Sequence, residues 1–97
     1  MTLTLDTGKT LEILWMWGPL PESGHVMMQY EDDRPLRQIA EELEGVQHME
    51  RMDEHEGNLV FDGYTRLEAL IRQSSGRVQV TFSRPGGQAD ETEEGGA

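Results

Sequence analysis

Apolar and polar residues alternate in several short stretches of the chain, and this period of two predicts β-strands. Leucines alternate on both sides of the turn Asp6-Thr7-Gly8-Lys9, which predicts a hairpin with strands at residues 2–5 and 10–17. The second strand is apolar on both faces, a pattern typical of a central strand that is covered on both sides. Prolines and glycines within residues 18–24 should interrupt it, and residues 25–31 resume as a third strand.

A helical spacing of apolar residues follows the third strand. Asp32 or Asp33 can cap a helix there, and Pro35 suits the first turn, where a missing N–H does no harm. Gly45 can end this helix because glycine tolerates a positive φ. The predicted buried stripe consists of Leu36, Ile39, Ala40 and Leu43.

The second half of the chain predicts a hairpin, another helix and a last strand. Strands at residues 46–53 and 58–62 are joined by the polar turn at 54–57. Thr65 and Glu68 are spaced as a capping box, so we expect a second helix that begins there and ends at Gly76. Its buried side would carry Leu67, Leu70 and Ile71, and the last strand would bury Val78, Val80 and Phe82.

These elements predict a single α+β domain over residues 1–84 with the order ββ-β-α-ββ-α-β. We expect a two-layer sandwich, in which one mainly antiparallel sheet of five or six strands carries both helices on one face. Residues 26–45 and 59–76 share a strand, a turn, a capped helix and a terminal glycine, which points to a weak internal duplication. Residues 85–97 carry four carboxylates and no large apolar side chain, so we expect a disordered acidic tail.

Composition excludes several classes of function. The chain of 97 residues has no cysteine, and therefore no disulfide, thiolate nucleophile or cysteine zinc site. Its formal net charge of −11 disfavours direct binding to nucleic acid or to an anionic membrane. No run of about 18 apolar residues and no signal peptide is visible, so we expect a cytoplasmic protein. No phosphate-binding loop or nucleophile elbow occurs either, and we expect neither a cofactor nor catalysis.

One polar segment contains residue types that bind metal ions. His48, Asp53, Glu54 and His55 offer two imidazoles and two carboxylates, which suit zinc, manganese or iron. The two histidines are seven residues apart, a spacing that matches no standard ligand set on a helix or a strand. A small metal-dependent hydrolase therefore stays an alternative, and an ordinary solvated hairpin is favoured.

Bulky apolar side chains exceed what two short helices can cover. Trp15, Met16, Trp17 and Met27 fall on both faces of the predicted sheet, so one face should be open. Tryptophan is enriched at binding hot spots and methionine adapts its shape to a partner, which suits a docking surface. The alternative is that strand twist and the 18–24 loop bury these residues within the monomer.

Acidic side chains on the outer side of the first helix, Glu41, Glu42 and Glu44, complete the predicted partner-binding surface. Fifteen acidic and eight basic residues give residues 1–84 a charge of −7. This charge favours a small acidic interaction module, a regulator or inhibitor that docks on a basic protein surface. A phage or mobile-element regulator that mimics DNA is one version, by analogy. A homodimeric assembly subunit, whose sheets stack through the tryptophans and methionines, is the runner-up hypothesis.

Overall fold

The computed structural model describes residues 1–20 and 24–84, and this part of the chain forms eight β-strands and one α-helix. The predicted disordered tail at residues 85–97 lies outside the described residues. In chain order the elements are β1 (Thr2–Leu5), β2 (Thr10–Glu12), β3 (Trp15–Leu20), β4 (His25–Glu31), α1 (Leu36–Leu43), β5 (His48–Met52), β6 (Leu59–Asp62), β7 (Arg66–Arg72) and β8 (Arg77–Ser83).

The strands form two four-stranded antiparallel sheets, so the prediction of one sheet of five or six strands with two helices was wrong. The first sheet has the order β2-β1-β5-β6, and the second has the order β3-β4-β8-β7. Each sheet therefore combines two strands that precede α1 with two strands that follow it.

The two halves of the chain repeat the same arrangement of four strands. Exchanging β1–β4 with β5–β8 leaves both sheet orders unchanged. In the second sheet, β4 and β8 pair along their full lengths around the central pair Met28 and Val80. A rotation of 180° about an axis that passes between Met28 and Val80, perpendicular to the sheet, superposes β4 on β8. This half-turn places Tyr30 on Phe82, and both side chains are buried. The predicted duplication differs from this one, because it matched two helices and the described residues form only α1.

One apolar core lies between the two sheets. Each strand turns alternate side chains inward, and the buried side chains of both sheets and of α1 form a single cluster. Removing this apolar surface from water is the main term that favours the fold, at about 25 cal/mol per Å². Its fully buried members include Leu3, Leu5, Val26, Met28, Ile39, Leu43, Met49, Val80 and Phe82.

The predicted second strand is in fact two edge strands, β2 and β3, which belong to different sheets. The chain crosses between the sheets at Ile13, which is buried, and Leu14, which is exposed. Leu14 then donates its N–H to the carbonyl of Gln29 in the second sheet (2.8 Å). Leu11 packs in the core from the first sheet and Met16 from the second. Successive residues are apolar here because they reach the core from two different sheets. A central strand covered on both faces is not needed to explain the pattern.

The third strand begins where the pattern places it, but the break before it is shorter than predicted. β3 continues through Gly18 and Pro19 to Leu20, with an irregular register between Trp17 and Leu20. Within the predicted break, residues 21–23 lie outside the described part of the chain.

The predicted second helix is strand β7, and a β-bulge explains the error. Leu67 opposes Phe82 and Leu70 opposes Val80, and both of these partners are buried. A regular strand places residues three apart on opposite faces. The register shift at Glu68 adds one residue to β7, so both leucines face the core. A spacing of three, which predicts a helix, is produced here by a bulged strand.

The first helix and its apolar stripe are confirmed, but its predicted cap was wrong. Pro35 occupies the N-cap position without a side-chain capping bond, so neither Asp32 nor Asp33 caps α1. Asp32 instead accepts hydrogen bonds from Arg34. Gly45 follows the helix with a φ of +86°, as its position predicts. No helix of the described residues is long and apolar enough to cross a membrane.

Candidate interaction surface

One face of the second sheet points away from the core, and no described helix or strand packs on it. Opposed residues of an antiparallel sheet lie on the same face, so the strand register defines which side chains lie there. They form two rows across the sheet: Trp15, Gln29, Gln79 and Ile71, and Trp17, Met27, Thr81 and Ala69. We call these eight residues the tryptophan face.

The tryptophan face is apolar at its two edges, and its centre is uncharged and, apart from Met27, polar. Trp15 and Trp17 on edge strand β3 are 40% and 38% exposed, and Ile71 on edge strand β7 is 48% exposed. In the centre, the Gln29 amide nitrogen donates to the Gln79 side-chain oxygen (3.0 Å). A partner can therefore cover this face without desolvating a charge, although the whole chain carries a net charge of −11.

The fold does not require tryptophan at these positions. The half-turn that relates the two halves of the chain takes Trp15 to Ala69 and Trp17 to Ile71. The same places in the same architecture are thus filled by alanine and isoleucine. Large exposed side chains that the fold does not need are typical of an interaction surface.

Only one of the two predicted methionines lies on the tryptophan face. Met27 opposes Trp17 and is half-buried. Met16 opposes Met28 on the core side of the sheet, where it packs against the core. The period of two along β3 turns it away from the neighbouring tryptophans.

The acidic residues of α1 differ in their surroundings. Glu41 and Glu44 are exposed. Glu42 accepts hydrogen bonds from both terminal nitrogens of Arg34, one of them at 2.8 Å, and its carboxylate lies 3.3 Å from the Lys9 amine. The Arg34 hydrogen bonds hold the pKa of the Glu42 carboxyl below its usual value. Glu42 is therefore engaged within the fold, whereas Glu41 and Glu44 are available to a partner.

A second set of bonds ties the end of β4 to α1 and β7. The Asp32 carboxylate accepts from the Arg34 backbone N–H (3.0 Å), Nε (2.9 Å) and Nη2 (2.7 Å), and these bonds lower the pKa of that carboxyl. Arg72 of β7 donates to the backbone carbonyls of Asp32 (2.6 Å) and Arg34. Burial of the neighbouring Tyr30 raises the pKa of its phenol to about 12, so this ring stays neutral.

The structure separates the two parts of the predicted partner-binding surface. The acidic residues lie on α1, which contacts β7, and the tryptophans lie on β3 at the opposite edge of the same sheet. Three strand spacings separate these edges, which is about 14 Å. A partner seated on the tryptophan face would reach α1 only if it extended past the edge of the sheet.

The histidine-rich segment is also spread along the fold. His48 begins β5, and Asp53, Glu54 and His55 follow its other end. Five residues of extended strand span about 16 Å, so His48 lies far from the other three. Within residues 1–20 and 24–84, no three His, Asp or Glu side chains lie close enough together to hold a metal ion. The alternative of a metal-dependent hydrolase has no site in this part of the chain.

Three residues beside the tryptophans were missed by sequence reasoning. Ile71 was assigned to the buried side of a helix, and Leu14 to the interior of a covered strand. Glu31 lies on the outer face of β4, two residues beyond Gln29, but was not singled out. The alternation of Leu67, Ala69 and Ile71 is the signal that could have indicated a strand, and with it the exposed position of Ile71.

Comparison of the chain with protein-family models, with curated proteins and with solved structures finds no match.

Proposed function

We propose that the protein is a small acidic interaction module that docks on a basic protein through the tryptophan face. The observation that carries this proposal is the pair of exposed indoles, Trp15 and Trp17, on an uncharged sheet face of a strongly acidic chain. Covering an indole removes a large apolar area from water, which is worth about 25 cal/mol per Å². The duplicated architecture supports the same view, since Ala69 and Ile71 fill the equivalent positions.

The surrounding charge would select the partner. Glu31 lies at one end of the tryptophan face, opposite Arg77, and the exposed Glu41 and Glu44 lie on α1, which contacts edge strand β7. Complementary charge accelerates the encounter with a basic surface and penalises an acidic one. A basic protein, such as one that itself grips nucleic acid, fits this pattern better than nucleic acid or an anionic membrane. A regulator or inhibitor that covers such a basic surface is the role we favour.

A homodimer is the competing hypothesis, and the charge of the chain weighs against it. Four strands of about seven residues cover roughly 450 Å² of flat sheet, whereas a stable interface buries about 800 Å² on each partner. Any partner must therefore also contact the flanks of the face. A second copy of a chain with a net charge of −11 is repelled at long range, and a basic protein is attracted.

A capture experiment with two matched double variants tests the proposed function. The full chain is immobilised and exposed to the soluble lysate of the source cell at low and at high salt. A soluble lysate is used because the sequence predicts a cytoplasmic protein. The variant Trp15→Ser with Trp17→Ser removes both indoles. The control variant Met52→Ser with Val60→Ser removes two exposed apolar side chains, 48% and 56% exposed, from the first sheet.

The proposal predicts that one basic protein is captured by the wild type and by the control but not by the tryptophan variant. Its capture should weaken at high salt because screening reduces the attraction between charges. Equal capture by both variants, or capture without any basic protein, would contradict the proposal. Light scattering on the purified chain should give a mass near 11.0 kDa, and twice that mass would favour the homodimer instead.

A further inference from the structure

The helix α1 lies along edge strand β7, from the end of the strand to its beginning. Arg72, at the end of β7, donates to the backbone carbonyls of Asp32 (2.6 Å) and Arg34, which precede α1. Beyond α1, the Gln47 carbonyl accepts from the N–H of Gly63 (3.1 Å), shortly before β7 begins. The inward side chains of α1 and β7 pack in the same core, so this edge of the second sheet is covered by a helix.

The opposite edge strand, β3, has no such helix among residues 1–20 and 24–84. The half-turn that superposes β4 on β8 takes β7 to β3, so the image of α1 would lie along β3. Within the described part of the chain, β3 packs closely only on β4. Leu67, at the start of β7, is partly buried against the core, whereas Leu14, at the corresponding place before β3, is 46% exposed. An apolar place beside β3 is thus left uncovered.

The segment that follows β8 repeats the sequence of α1. Residues 84–95, which we call the second copy, match residues 34–45 at six of twelve positions, in the pattern R-P-x-x-Q-x-x-E-x-x-E-G. The first copy differs in spacing only by Asp32 and Asp33, which separate it from β4. Arg84 donates its N–H to the carbonyl of Gly24 (3.0 Å), so the second copy begins beside the hairpin of β3 and β4. By sequence and by point of attachment it corresponds to α1.

The second copy lacks the side chains with which α1 packs. The helix α1 turns Leu36, Ile39 and Leu43 toward the core. The corresponding positions of the second copy hold two small residues and a carboxylate, Gly86, Ala89 and Glu93. Burial of an unpaired carboxylate in an apolar place is costly. The architecture therefore provides a place for a helix along β3, and the segment attached there does not have the side chains to fill it.

We propose that an amphipathic helix of the basic partner lies along β3, in the place that corresponds to α1. Its apolar residues, spaced i, i+3 and i+7 as in α1, cover Leu14 and the partly buried Met16. Its basic residues are attracted by the four carboxylates of the second copy, which is attached beside this place. This inference rests on the proposed function, and it names the element by which the partner is recognised.

The dimensions of the edge agree with such a helix. A helix of twelve residues is about 18 Å long, and the six residues of β3 span roughly 20 Å. The tryptophan face alone covers roughly 450 Å² of the approximately 800 Å² that a stable interface buries on each partner. A helix along β3 adds contact area directly beside Trp15 and Trp17, so one partner can cover the edge and the face together.

A synthetic peptide with the apolar stripe of α1 and a basic outer side tests this inference on the full chain labelled with ¹⁵N. The peptide has the sequence of residues 34–45 with the changes Glu41→Lys and Glu44→Lys. A second peptide of the same composition has its apolar residues redistributed, so that no stripe forms. In nuclear magnetic resonance titrations, the first peptide should shift the amide signals of Leu14 and Met16 and bind at least about fivefold more tightly than the second, because only a continuous stripe covers the place.

Restoring the stripe in the second copy should block the place within the chain itself. The blocking variant carries Gly86→Leu, Ala89→Ile and Glu93→Leu. The control variant carries Gly86→Leu, Glu91→Ile and Thr92→Leu, which add the same apolar side chains and remove one carboxylate but do not lie on one side of a helix. A tethered helix is present at a high effective concentration, so the blocking variant should bind the peptide at least about tenfold more weakly than the wild type, and the control within about twofold.

Equal binding of the two peptides, or shifts that do not include Leu14 and Met16, would overturn the inference. The absence of peptide binding, or unchanged binding by the blocking variant, would overturn it as well. If the lysate partner is still captured by the wild type and lost from the tryptophan variant in that case, the docking function stands and only the helix site along β3 is wrong.

Discussion

Deleting Glu68 should leave the fold intact, although a deletion within a strand normally turns every following side chain to the other face. Glu68 is the extra residue of the bulge in β7. Without it, Leu67 and Leu70 become two residues apart, and a regular strand then keeps both of them facing the core. The deletion therefore removes the irregularity and preserves the pattern of burial.

The expected cost follows from one hydrogen bond. The Ser83 hydroxyl donates to the Glu68 carboxylate (2.9 Å), and Ser83 is 7% exposed. A buried hydroxyl that loses its partner costs about 1–3 kcal/mol, and a regular ladder bond regained in β7 offsets about 1 kcal/mol. We therefore expect the free energy of unfolding to fall by no more than about 2 kcal/mol.

Deletion of Gln79 from β8 is the control, because β8 pairs regularly with β4. Val78 and Val80 are both fully buried, and the deletion would turn one of them outward while a polar side chain turns inward. The loss of a buried valine and the burial of an unpaired polar group together cost at least about 4 kcal/mol, comparable with the whole stability of a small domain. Urea unfolding followed by tryptophan fluorescence measures both variants. If deletion of Glu68 unfolds the protein as deletion of Gln79 does, the bulge does not explain how Leu67 and Leu70 of β7 both face the core.

Two further predictions concern the core and acid sensitivity. Met28→Ala should lower the free energy of unfolding by about 2–5 kcal/mol, because Met28 is fully buried. Met52→Ala, at a 48% exposed position, should change it by less than about 0.5 kcal/mol. Similar values for the two variants in urea titrations would contradict this prediction. Arg34 lowers the pKa values of the Asp32 and Glu42 carboxyls in the folded state, so the stability that it contributes is complete above about pH 5 and is lost as the pH falls through the lowered values. Arg34→Gln should therefore be less stable than the wild type at pH 7 and lose less stability on acidification to pH 3, and parallel stability profiles would contradict this assignment.

Much of the local structure could be predicted from the sequence. The glycines at turns, the period of two in β1, β4 and β8 and the helical spacing in α1 act within a few residues, and these elements lie where the pattern places them. β7 could not be predicted in the same way, because a bulged strand and a helix share the spacing of three between Leu67 and Leu70. Only pairing with β8, which is a tertiary contact, decides between them.

The number of sheets could not be predicted for a related reason. The crossing at Ile13 and Leu14 contains neither glycine nor proline, so no turn signal separates β2 from β3. The excess of bulky apolar residues in this segment did single out Trp15 and Trp17, which the structure places on an open face. Their role in binding a partner stays a prediction.

The mixing of both halves in each sheet has a consequence for synthesis on the ribosome. Neither sheet can close before β5–β8 have emerged, because each needs two of these late strands. Until then Val26, Met28 and Tyr30 of β4 are exposed to solvent, and exposed apolar strands of this kind promote aggregation. The nascent chain is thus most vulnerable to aggregation while its second half is still being translated.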